Sequence, residues 1–209
     1  DDLDLLSLKI GNTDLSGVLL PNEAIRINYN AGNNELPDNW FIRANFLQKP
    51  ILVGQLTNNP PYSYTNINQM ATVTVHSGAR ILLLPGIHYL DRDLIINSEN
   101  MSIESVSSNC LDTIIHCMGK YAVFVREDNS SLHNITITDG GKGSVLGKYS
   151  NNTANLVIYN CIIQNGIGDT EAAVRYADVY NSIIRNNINF TGNGGGIAYG
   201  KLYNTILIN

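Results

Sequence analysis

Four stretches decide the fold: Leu132-His-Asn-Ile-Thr-Ile-Thr-Asp139, Ile158-Tyr-Asn-Cys-Ile-Ile-Gln-Asn165, Val179-Tyr-Asn-Ser-Ile-Ile-Arg-Asn186 and Leu202-Tyr-Asn-Thr-Ile-Leu-Ile-Asn209. They align without gaps. The first column is aliphatic, and the second is His133, Tyr159, Tyr180 and Tyr203. The third is asparagine throughout, Asn134, Asn160, Asn181 and Asn204, at spacings of 26, 21 and 23 residues. The last column holds Asp139, Asn165, Asn186 and Asn209. Such a period is too short for a helix pair or for a propeller blade of roughly 40 residues. It fits one coil of a β-solenoid, in which short strands pair in parallel with their counterparts in the next coil. Equivalent residues then stack ~4.8 Å apart, so each column keeps one residue type. Stacked aliphatics fill the interior. Asparagine tolerates the left-handed backbone of a sharp bend, and its carboxamides can bond up and down a column. The set Asn134, Asn160, Asn181 and Asn204 is therefore expected to be a structural ladder.

Upstream, Ile81-Leu-Leu-Leu-Pro-Gly-Ile-His-Tyr89 reads as a strand ended by a Pro-Gly turn. Asp93-Leu-Ile-Ile-Asn97, Met101-Ser-Ile-Glu-Ser105, Thr113-Ile-Ile-His116 and Ala122-Val-Phe-Val125 read as further short strands. Val73 and Val75 alternate with Thr72 and Thr74, the period of a half-buried strand.

The composition agrees with a solenoid. Of 209 residues, 29 are asparagine and only 15% are charged, and the formal net charge is −5. With 44% hydrophobic residues, the chain is not of the disordered class. No basic cluster points to nucleic acid, and no apolar run reaches the ~18 residues of a membrane span. Low charge also suits stacked columns, where like charges would repel.

The run from Leu84-Pro-Gly-Ile-His-Tyr89 through Leu94-Ile-Ile96 and Met101-Ser-Ile103 to Thr113-Ile-Ile115 resembles the opening coils of right-handed parallel β-helix proteins of the pectate-lyase-like superfamily. The later Asn-x-Ile-Ile-x-Asn segments and Gly194-Gly-Gly-Ile-Ala-Tyr199 resemble the repeats of β-helical surface adhesins, such as polymorphic outer-membrane proteins. The resemblance covers about residues 72–209. It implies an all-β fold, a right-handed parallel β-helix over 72–209 preceded by an N-terminal cap or small β domain over 1–71. It also implies a choice between a non-enzymatic surface adhesin or rod and a polysaccharide lyase or glycoside hydrolase.

Residues 1–71 lack the repeat. Leu5-Leu-Ser-Leu-Lys-Ile10, Gly17-Val-Leu-Leu20, Glu23-Ala-Ile-Arg-Ile-Asn28 and Ile51-Leu-Val-Gly-Gln55 read as strands, and Asn39-Trp-Phe-Ile-Arg-Ala-Asn-Phe46 as a strand or short helix carrying Trp40. A solenoid needs its open ends covered. The chain stops inside a repeat, so either it continues or that end stacks on another chain.

The chemistry is sparse. Lyases of this superfamily use carboxylates for Ca²⁺ with an Arg or Lys base, and hydrolases use paired Asp on neighbouring coils. Asp139 shares its column only with asparagines, and Asp178 with Arg175 and Arg185 is the best local grouping. No catalytic residue, metal site or cofactor is assigned. Tyr159, Tyr180 and Tyr203, with His133, form an aromatic column that would be a glycan-binding strip if it faces outward, and a sheet-stabilising stack otherwise. Cys110 and Cys117 are a candidate disulfide, leaving Cys161 over. Sequons begin at Asn100, Asn129, Asn134, Asn151 and Asn189. Together these favour an extracellular or cell-surface location. The partners expected are a carbohydrate, a surface protein or the chain itself through the solenoid ends, with no nucleic acid.

Overall fold

A computed structural model describes residues 3–10, 13–14, 42–48, 51–54, 63–64, 66–70, 77–150, 153–154, 156–168, 173–191 and 195–208. The chain divides into two compact units, Asp1–Lys49 and Pro50–Asn209. In the first, Leu3–Ile10 pairs antiparallel with Thr13–Asp14 and with Ile42–Gln48, with a register shift between Leu5 and Ser7. The expected strand at Leu5–Ile10 forms, and the described part of the segment 39–46, from Ile42, is strand rather than helix. Trp40 and the strands expected at 17–20 and 23–28 lie outside the described residues.

The second unit is a parallel β-solenoid with three walls. Wall 1 has eight strands, in the order Leu202–Tyr203, Ala177–Tyr180, Leu156–Tyr159, Ser130–His133, Ser102–Ser105, Arg80–Leu83, Ile51–Val53 and Ser63–Tyr64. Wall 2 has six, from Ile206–Ile208 through Ile183–Arg185, Ile162–Gln164, Thr136–Thr138 and Thr113–His116 to Gly86–Tyr89. Wall 3 has five, from Ile197–Ala198 through Val174–Arg175, Val145–Leu146 and Val123–Val125 to Leu94–Ile96. The parallel stacking thus reaches Ile51–Val53, upstream of residue 72.

Alternation along each strand sends one column inward. On wall 1 it is Ile81, Ile103, Leu132, Ile158, Val179 and Leu202. On wall 2 it is His88, Ile115, Ile137, Ile163, Ile184 and Leu207, and on wall 3 Leu94, Val123, Val145, Val174 and Ile197. Ile115, Ile137, Ile163 and Ile184 are fully buried. Burying each such side chain is worth roughly 1.5–3 kcal/mol, which is why the columns hold aliphatics.

Each coil turns through left-handed residues. Between walls 1 and 2 these are Asn134, Asn160, Asn181 and Asn204, with φ of 55°, 54°, 48° and 44°. After wall 2 they are Asp139, Asn165 and Asn186. Before wall 1 they are Asn100, Asn129, Tyr176 and Tyr199. Asparagine and aspartate visit this region at little cost, and eight of the 29 asparagines sit there.

The first strand of wall 2 is covered along its edge by Asn68, on the short helix Ile67–Met70. Asn68 Nδ2 donates to the Tyr89 carbonyl at 2.8 Å and Asn68 Oδ1 accepts from the Asp91 N–H at 3.0 Å. At the other end Leu207, in the column of fully buried Ile184, is 47% exposed, and no strand lies beyond it among the described residues.

The three cysteines are free thiols, so the pairing of Cys110 with Cys117 does not form. The extended strand Thr113–His116 lies between them.

Candidate functional site: an aromatic comb on wall 1

The outward face of wall 1 carries Glu104, His133, Tyr159, Tyr180 and Tyr203 in one column, set by the registers His133↔Glu104, His133↔Tyr159, Tyr159↔Tyr180 and Tyr180↔Tyr203. Their alternation with the buried Leu132, Ile158 and Val179 puts the rings outside. Tyr159 is 43% and Tyr203 40% exposed. Ser102, Ser131, Val157 and Asp178 form the neighbouring outward column.

The rings are not alike in geometry. Tyr180 and Tyr203 stack with centroids 4.4 Å apart and planes within 5°. His133 and Tyr159 are tilted, 6.0 Å apart and 42° between planes. In the Tyr180–Tyr203 pair the ring faces cover one another. What such a pair offers to solvent is its hydroxyl-bearing edges more than flat apolar faces. The Tyr180 phenol is held above its ordinary pKa, by desolvation first and then by the Tyr203 ring hydroxyl and Asp178, so it stays neutral well past pH 7.

At the other end of the column Glu104 accepts from Arg80 Nε at 2.8 Å and from Ser102 Oγ at 3.0 Å. The Arg80 hydrogen bond leads in holding the Glu104 carboxyl below the usual range. Burial lowers the His133 pKa, opposed by the charge of Glu104, so His133 is a neutral ring near pH 7. The column thus runs from an ion pair through a neutral imidazole to three phenols. It is suited to hydrogen bonding along the solenoid axis.

The asparagine column lies at the wall 1–wall 2 bend beside these rings. Asn160 Nδ2 donates to Asn134 Oδ1 at 2.6 Å and Asn204 Nδ2 to Asn181 Oδ1 at 2.8 Å. Asn160 also reaches the Ser108 carbonyl at 3.3 Å, which ties down the long turn between Ser102–Ser105 and Thr113–His116.

The grouping of Asp178 with Arg175 and Arg185 is not assembled. Asp178 is on wall 1, where Oδ1 accepts from the Lys201 N–H at 2.9 Å. Arg185 is on wall 2, bonded to Gln164 Oε1 at 2.8 Å. Arg175 is on wall 3, its guanidinium 4.6 Å from the Tyr176 ring centroid and 5.4 Å from that of Tyr199. Tyr176 and Tyr199 stack with centroids 5.0 Å apart. This aromatic pair was not singled out from sequence. The available signal was its spacing, which equals that of Asn181 and Asn204.

Asn100 and Asn129 are exposed at bends, Asn134 is half-buried in the asparagine column, Asn189 is half-buried, and Asn151 lies outside the described residues. Among the described residues no group of three or more His, Cys, Asp or Glu side chains is placed to hold a metal, and no helix is long and apolar enough to cross a membrane. No protein-family model, no curated protein and no solved structure matches the chain.

Proposed function

We propose that this chain is a non-enzymatic module of an extracellular or cell-surface rod of the adhesin type, and that the outer face of wall 1 is its recognition face for an extended glycan. The observation that carries this reading is the column of outward rings His133, Tyr159, Tyr180 and Tyr203, repeated at the coil spacing. A solenoid holds such groups in a fixed line without cost to a loop, so a polymer laid along the axis meets several hydroxyls at once. Exposed sequons at Asn100 and Asn129 support an exported setting. The test is retention of the chain on immobilised neutral and uronate polysaccharides. Binding that falls together in Tyr159→Ser, Tyr180→Ser and Tyr203→Ser supports the reading. Release of shortened or unsaturated products, with or without Ca²⁺, would contradict it in favour of a lyase or hydrolase.

A further inference from the structure

A second concave site lies at the covered edge of wall 2, and no part of the wall 1 comb contributes to it. Its centre is Tyr89, 54% exposed. Two hollows flank that ring. One, of about 340 Å³, is lined by Asn68, Tyr89, Leu90, Asp91, Met118, Lys120 and Tyr121. The other, of about 530 Å³, shares Asn68 and Tyr89 with it and continues past Gly86, Ile87 and His88. Both volumes fall in the ~300–1,000 Å³ range of small-ligand sites.

The walls are pre-set. Asn68 is fixed by its two hydrogen bonds to the backbone at Tyr89 and Asp91. Tyr89 is backed by the His116 ring, with centroids 5.3 Å apart. That imidazole is held at both nitrogens: Nδ1 accepts from the Met118 N–H at 3.0 Å, which leaves the Nε2 proton for Asp139 Oδ2 at 3.2 Å. His88 Nε2 sits 2.8 Å from the Leu84 carbonyl. Rigid walls of this kind lower the ordering cost of binding.

The chemistry of the smaller hollow is mixed, with one acidic and one basic side chain in its lining. Tyr89, Tyr121 and Met118 supply apolar surface. Asp91 supplies a carboxylate, of which Oδ1 takes Arg92 Nε at 2.7 Å. Lys120 supplies an exposed ammonium that has no ion-pair partner among the described residues. One acidic and one basic side chain in a lining that also holds Tyr89 and Tyr121 give no single-sign field for a strongly ionic ligand. They suit a ring with C–H groups on one face and hydroxyls around its rim, which can donate to Asp91 and accept from Lys120.

We infer that the groove around Tyr89 binds an uncharged pyranose oligosaccharide, with a sugar ring packed on Tyr89 and hydroxyls held by Asp91 and Lys120. The test titrates the whole chain with cellobiose, lactose, maltose and N,N′-diacetylchitobiose, and with digalacturonate as the charged control, by calorimetry and ligand-observed NMR. The expected result is binding of at least one neutral disaccharide, with a Kd up to the millimolar range, weakened by about tenfold or more in Tyr89→Ala and in Lys120→Ala. Tyr180→Ser and Tyr203→Ser leave it unchanged, which separates this site from the wall 1 comb. An unchanged circular-dichroism spectrum and unfolding midpoint show that the variants fold. No binding by the neutral panel, tighter binding of digalacturonate, or binding indifferent to both Tyr89→Ala and Lys120→Ala overturns the inference.

Discussion

Asn160 does two separable things, and replacing it by alanine and by glycine distinguishes them. Its backbone occupies the left-handed region at φ 54°, and its carboxamide donates to Asn134 Oδ1 at 2.6 Å and to the Ser108 carbonyl at 3.3 Å. Each hydrogen bond is worth about 1 kcal/mol net, and removing the donor also strands part of Asn134. Glycine keeps the backbone at ease, so Asn160→Gly should cost about 1–3 kcal/mol, from the lost bonds and the extra freedom of the unfolded chain. Alanine loses the same bonds and must hold a left-handed backbone with a Cβ, a further ~1 kcal/mol or more, so Asn160→Ala should cost about 2–4 kcal/mol. Guanidinium unfolding of the whole chain, followed by far-ultraviolet circular dichroism, measures both. The slope should be unchanged while the midpoint falls in the order wild type, Gly, Ala. An alanine variant at least as stable as the glycine variant refutes the bend argument. Two variants within about 0.5 kcal/mol of wild type would refute the ladder argument.

Further outcomes follow from the same contacts. Ile137→Ala empties a fully buried wall 2 position and should cost about 2–5 kcal/mol, whereas Ile206→Ala, at a site 54% exposed, should cost far less in the same unfolding experiment. Asn68→Ala should speed hydrogen exchange at the Asp91 amide, whose acceptor is lost, while leaving that of Ile163 unchanged. Burial pushes the Cys117 and Cys161 thiols up to about 12, so in the folded chain both should react with alkylating reagents at pH 8 far more slowly than half-buried Cys110. These raised values also set a sign for pH dependence. The unfolded thiols ionise near 9 and the folded ones near 12, so their contribution is fully present below about pH 9 and is lost as pH rises towards 12. Unfolding midpoints from pH 7 to 11 check it, with Cys117→Ala and Cys161→Ala flattening the fall.

The walls that were legible in sequence are those with long, regular columns. Leu132, Ile158, Val179 and Leu202 stack residue on residue, and the asparagines two positions on form the bend between walls 1 and 2. The outward rings at 133, 159, 180 and 203 could be read because they lie one position before those asparagines. Wall 3 was harder. Val145–Leu146, Val174–Arg175 and Ile197–Ala198 are two-residue strands, too short to show a period, and variable turns separate them. The third bend was hidden because it changes residue type, from Asn100 and Asn129 to Tyr176 and Tyr199. The groove at Tyr89 depends on Asn68 folding back on a strand 21 residues away, a contact no local pattern encodes. Cys110 and Cys117 lie near each other in sequence, but both are free thiols in the fold. Asp178, Arg175 and Arg185 look adjacent in sequence but fall on three walls.

The central claim is that successive coils stack in parallel and in register, and methyl NMR tests it most directly. In chain selectively labelled at isoleucine methyls, cross-peaks should link Ile115 to Ile137, Ile137 to Ile163 and Ile163 to Ile184, at one coil spacing of ~4.8 Å. Ile115 to Ile163 and Ile137 to Ile184, two coils apart at about 10 Å, should give none. Cross-peaks that skip a coil, or the absence of the one-coil series in folded protein, would contradict the stacked solenoid on which the comb, the asparagine ladder and the Tyr89 groove all rest.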